Sequence, residues 1–158
     1  MQTPIIRVFG YGSLLSEKTI QRRLPGQKIV RRATLDGCQR TFRKLGNNNH
    51  VYLTLRRDPH FSVTGALIDV SPPELAALTR SEPGYILVDI TLDMRDYPPQ
   101  EPRVYCFIAP PVEVVPNHLK SIAGSYIKTC LDGVPPEERR KWLEETEVPE
   151  GVTIAEDE

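Results

Sequence analysis

Very little in this chain of 158 residues points toward a membrane, a nucleic acid or an oxidising compartment. Its cysteines are only Cys38, Cys106 and Cys130, odd in number and far apart, which excludes a disulfide framework and a Cys-x-x-Cys metal site. Two of them sit in apolar segments, where a thiol packs as a small hydrophobe. No apolar run nears the ~20 residues that span a bilayer, and the N-terminus lacks the basic and apolar regions of a secretory leader. A cytoplasmic location is expected. The formal net charge of −1 offers no footing for nucleic acid or an anionic membrane.

Catalytic motifs are equally scarce. The histidines, His50, His60 and His118, fall in expected loops or at a helix start without partner patterns, and no His-x-x-x-His or paired carboxylate suggests a metal. No cofactor is implied. What the chain does have is a glycine-bearing stretch near its start, Ile5-Ile6-Arg7-Val8-Phe9-Gly10-Tyr11-Gly12-Ser13-Leu14-Leu15. A β-branched run of strand length opens there into small residues, as a buried strand does when it becomes a loop. Glycines at 10 and 12 permit positive φ and let backbone N–H groups face a ligand. Two glycines after a strand also suit a plain tight turn. Nucleotide-binding patterns are excluded, because position 15 is Leu where a third glycine belongs and no Gly-Lys-Ser/Thr follows. Ser13 lacks the downstream glycine of a nucleophile elbow.

Along the chain, Ser16 is a candidate cap for a helix over 17–23, stopped by Pro25-Gly26. Residues 28–45 read as a long strand or a bent pair with Asp36-Gly37 as turn or bulge. Strands are expected over 51–55 and 62–70, separated by Arg56-Arg57-Asp58-Pro59-His60. Ser71-Pro72-Pro73-Glu74 is a capping-box helix start, and that helix must stop near Pro83-Gly84, leaving Glu82 at its end. Alternation over 86–94 predicts a strand with Ile86, Val88, Ile90 and Leu92 on one side, and residues 103–108 predict another. Asn117 is read as the cap of a helix reaching Gly133, and Pro135-Pro136-Glu137 as the start of the last one, with Trp142 available for a contact. The class is α+β, one domain over 1–147 with a loosely attached acidic tail over 148–158. Oligomeric state is silent.

Together Val8 to Leu14, then Gly65-Ala66-Leu67-Ile68-Asp69-Val70 leading into a helix with Leu75 and Leu78, then Glu82 with Tyr85, and finally Ser125-Tyr126, resemble the gamma-glutamylcyclotransferase-like family. The resemblance implies a small closed mixed β-barrel packed by helices. It implies that Gly10, Tyr11, Gly12, Ser13 and Leu14 hold a glutamyl moiety, that Glu82 is the acid/base, and that Tyr85 and Tyr126 line the pocket. The glutathione-specific branch shares Phe9 to Leu14, but its Asp-His-Arg-Gly-type segment has no match here; Asn47-Asn48-Asn49-His50 stand in that region.

The expected reaction is closure of a gamma-glutamyl amide to 5-oxoproline and a free amine, an amine-releasing lyase step on a small-molecule substrate. The α-amino group attacks within its own molecule, so neither serine, cysteine nor metal is needed. Two other readings stand beside it. One is a non-catalytic protein that binds a small molecule or a partner in the same pocket. The other is a hydrolase using Ser13, which would release free glutamate.

Overall fold

The computed structural model describes residues 5–46 and 49–155. Five strands hydrogen-bond in the order β2-β3-β1-β5-β4, with β1 at Ile6–Gly10, β2 at Ile29–Leu45, β3 at Val51–Val70, β4 at Ile86–Asp89 and β5 at Val104–Ile108. The first strand lies in the middle and is buried on both faces, Val8 on one and Phe9 on the other. It pairs antiparallel to β3, from Ile6↔Val70 to Gly10↔Ala66, and parallel to β5 at Arg7↔Val104. Successive side chains point to opposite faces, so Phe9 enters one buried cluster and Val8 the other. The Val8 cluster takes Ile20 from helix α1 (Glu17–Arg23), Leu24 just past its end, and Leu78 from α2 (Pro72–Ser81). The larger Phe9 cluster takes Leu35, Phe42 and Leu53 from the β2–β3 ribbon, Cys130 from α3 (Gly124–Asp132) and Trp142 from α4 (Arg139–Glu144).

Pairing leaves the sheet open among the described residues: no ladder joins its edges β2 and β4. The closed barrel is therefore not what the hydrogen bonds form, although an isolated Leu35↔Met94 bridge ties β2 to the segment after β4. Residues 51–70 make one strand of 20 residues where two are predicted. The Arg56 to His60 stretch is absorbed because Gly37, at φ +80°, forms a bulge that lets the register jump from Asp36↔Ser62 to Cys38↔Arg57. Pro59 falls inside that jump, where no ladder partner needs its missing N–H, and His60 thus lies in a strand.

Further along, the predicted 86–94 strand stops at Asp89, and a 3₁₀ turn follows at Thr91–Asp93. Alternation overstates its burial: Ile90 is buried, but Ile86 and Leu92 are exposed. Asn117 opens only a 3₁₀ turn, after which β6 (Ser121–Ala123) pairs in parallel with β7 (Thr153–Ala155). The long helix expected there is split, and α3 begins only at Gly124. That pairing also holds the C-terminal segment, with Val152 buried, where a loose tail is expected. Trp142 is buried in the core and not presented for a contact. Asn47 and Asn48 lie outside the described residues.

Candidate active site

A cavity of about 460 Å³ opens at the C-terminal end of β1, where the two apolar clusters meet. Its wall includes Gly10, Tyr11, Gly12, Ser13, Leu14, Glu82, Tyr85 and Tyr126, so every site residue named from the sequence faces one space. The loop reaches it by close packing and not by positive φ. Gly12 has φ −135°, and positive-φ glycines occur elsewhere, at Gly26, Gly37, Gly84 and Gly151. Gly10 is required because a Cβ there would lie 2.9 Å from the Leu14 Cβ. The chain then turns into a 3₁₀ helix at Ser13–Leu15, with Leu15 N–H donating to Gly12 O at 3.0 Å and Ser16 N–H to Ser13 O at 3.1 Å. The N–H groups that open such a turn have no acceptor within it and are available to an anion. Ser16 begins α1 without a side-chain cap bond.

Glu82 arrives from the opposite side. Ser71 caps α2 in a full capping box with Glu74, and the helix ends with Glu82 as its C-cap. Gly84, at φ +84°, turns the chain into β4. Burial pushes the Glu82 carboxyl above its ordinary range, and Arg23 and then Lys44 pull against that without overcoming it. Arg23 Nη1 donates to Glu82 Oε1 from α1.

Three tyrosines shape the wall, and burial raises the pKa of each. Tyr11 donates its hydroxyl to Phe107 O at 2.7 Å, and Tyr85 donates to Leu53 O at 2.7 Å. With both protons committed to carbonyls, these two residues are spacers and not acids. Tyr126 is gripped edge-on by Tyr52, with ring centroids 4.9 Å apart, and by Phe42 at 6.5 Å. Such aromatic pairs add about 0.5–1.5 kcal/mol beyond burial. Ser13 reaches the cavity, but no histidine lines it, so a serine nucleophile has no imidazole base there.

Sequence reading missed the cavity's cations, Arg22, Arg23 and Lys44. Arg22 and Arg23 occupy the last turn of α1, a common place for basic residues on a solvated face. Lys44 lies on β2 with Nζ 5.2 Å from the Tyr85 ring centroid. Nothing local in the sequence distinguishes these from other surface cations. Among the described residues, no group of three or more His, Cys, Asp or Glu could hold a metal, and all three cysteines are buried and free.

Residues 8–132 match the family described as gamma-glutamyl cyclotransferase, AIG2-like. No curated protein matches the chain in sequence. Among solved structures, a protein from Homo sapiens superposes with TM-score 0.70 at 19% identity, over 88% of this chain and 86% of its own. A structure named gamma-glutamyl cyclotransferase superposes with TM-score 0.68 at 18% identity, over 88% and 86%. YkqA from Bacillus subtilis gives 0.70 at 19%, covering 89% of this chain but 53% of the longer protein. At these identities the likeness concerns the fold: an α+β domain with a mixed sheet.

Proposed function

Because this chain belongs to the gamma-glutamyl cyclotransferase, AIG2-like family, we propose that it converts a gamma-glutamyl amide to 5-oxoproline and a free amine, with Glu82 as the acid/base. The observation that carries this reading is the convergence of the Glu82 carboxyl and the Gly10 to Leu14 loop on one cavity. An α-ammonium with a pKa near ~8 must lose a proton before its nitrogen can attack. Glu82 accepts that proton, and the nitrogen bonds to the γ-carbonyl carbon, closing a five-membered ring and placing negative charge on the carbonyl oxygen. Collapse breaks the bond to the leaving nitrogen, which takes the proton back from Glu82, while the ring nitrogen gives up its second proton by way of the freed carboxylate, leaving a neutral lactam and an ammonium product. A carboxyl raised by burial is a better proton acceptor than a solvated one, and such transfer typically contributes ~10²–10⁴ in rate. Amide groups of the loop offer the oxyanion donors worth about 3 kcal/mol each.

The test is incubation with gamma-glutamyl dipeptides, glutathione and gamma-glutamyl-lysine, with products identified by mass spectrometry. Release of 5-oxoproline that is lost in E82Q, with the circular dichroism spectrum unchanged, is the expected result. Free glutamate as product would favour the Ser13 hydrolase instead. Binding without turnover, equal in both proteins, would mean that the pocket only binds its ligand.

A further inference from the structure

The base of the proposed reaction is already occupied. Arg23 Nη1 is bonded to Glu82 Oε1, and both side chains are mostly shielded, with side-chain exposures of 25% and 17%. A carboxylate tied to a guanidinium holds its electron pair less available than a free one. Yet an arginine has five donors, and among the described residues only Nη1 of Arg23 has a hydrogen-bond partner. Arg23 itself lines a cavity that also takes in Ser13 and Leu14. Any gamma-glutamyl compound brings a second carboxylate into that cavity, on the carbon that bears the reacting amine.

We propose that Arg23 is a positioning residue that the substrate takes over: its guanidinium holds Glu82 before substrate binds and transfers to the substrate's α-carboxylate on binding. The inference rests on the cyclotransferase reading for its substrate, and on the Arg23–Glu82 contact for its geometry. It divides the labour of the site. Arg23 receives the carboxylate, the loop amides are left for the oxyanion, and Glu82 loses its chief counter-ion when a base is required. The other charged groups facing Glu82 are Arg22 on the same helix and Lys44 on β2. Tyr11, Tyr52, Tyr85 and Tyr126 complete its surroundings. With Arg23 withdrawn, burial acts on Glu82 against Lys44 and the more exposed Arg22, so its proton affinity climbs toward that of the ammonium it must deprotonate.

The experiment follows the Glu82 carboxyl by carbon-13 NMR, assigned by its disappearance in E82Q, through a pH titration with and without ligand. The probes are 5-oxoproline and 2-pyrrolidinone, the same ring without its carboxylate. In the unaltered protein 5-oxoproline should raise the Glu82 midpoint and 2-pyrrolidinone should leave it in place. Ligand-free R23Q should show an already raised midpoint and bind 5-oxoproline on the order of 10- to 100-fold more weakly, with R23K between the two. Unaltered affinity in R23Q, no midpoint change on its substitution, or no binding of 5-oxoproline to the unaltered protein would each overturn the proposal. An Arg23 that only supports the fold would lower the melting temperature and leave the midpoint still, which also counts against it. Because these readouts need no turnover, a protein inactive on every gamma-glutamyl compound would remove the cyclotransferase reading while the hand-over stood or fell on binding alone.

Discussion

Glu82 and Glu101 are both held by arginine, and their carboxyls move in opposite directions. At the rim of the sheet, Glu101 Oε1 accepts from Arg7 Nη1 at 2.6 Å and Arg31 Nη1 at 2.7 Å, while Oε2 accepts from Arg31 Nη2 at 2.8 Å. First Arg31 and then Arg7 bring its pKa down to about 2. In the cavity, Glu82 has a single arginine contact and a buried setting, and burial wins. An ion pair therefore does not fix a carboxyl's chemistry by itself. Two arginines bonded to one carboxyl make a permanent anion suited to structure; one arginine bonded to a carboxyl set deeper in the protein leaves that carboxyl able to trade its proton.

The widest separation between the two sites should come from removing each charge. E82Q is expected to cost about 10²–10⁴ in the rate of 5-oxoproline release, measured as initial velocity. Its effect on stability has the opposite sign. A folded-state pKa raised above the unfolded value means that ionising Glu82 disfavours the folded form, increasingly as pH rises from the unfolded value through the folded one. The melting temperature of E82Q relative to the unaltered protein should therefore rise as pH goes from about 4 to about 7. A relative melting temperature that falls over that range would break the contrast drawn above.

Next in size is Arg7, nearly buried and bonded to Asp69 at 2.7 Å as well as to Glu101. R7L should lower unfolding free energy by roughly 3 kcal/mol, because it leaves Asp69 without its arginine and Glu101 with Arg31 alone, while the pH dependence of turnover stays put. Urea melts and a pH–rate profile check the two halves. Smaller again is G133A. A Cβ at Gly133 would lie 2.1 Å from the Leu15 backbone, so overpacking of about 1–3 kcal/mol should push the turn that carries Ser13 and Leu14. A rise in KM alongside a lower melting temperature is the expected signature. Least of all, E101Q should lower the melting temperature above pH 4 and converge with the unaltered protein as pH falls toward about 2, since a depressed carboxyl contributes stability only where it is ionised.

Much of the candidate site is legible because its parts are local. The strand that opens at Gly10 and the capping box that starts α2 are each written within a few residues, and counting from Ser71 puts Glu82 at the helix end. Gly133 suits a left-handed helix stop by residue type, whereas its φ is −86° and what it answers is the approach of Leu15. Alternation over 86–94 predicts a strand throughout because period two marks a pleat but cannot say where pairing ends. The split at 121–124 was hidden for a similar reason: a three-residue strand exists only because Thr153–Ala155 arrive beside it.

By itself the sequence determined the family, the central strand and loop, and the position of one acid at a helix end. Tertiary structure alone decided that Arg23, 59 residues before Glu82, meets it in a shared cavity. It also decided which way that carboxyl's proton affinity moves. Burial and counter-ion distance are sums over neighbours brought together from distant parts of the chain, and no local pattern encodes such a sum.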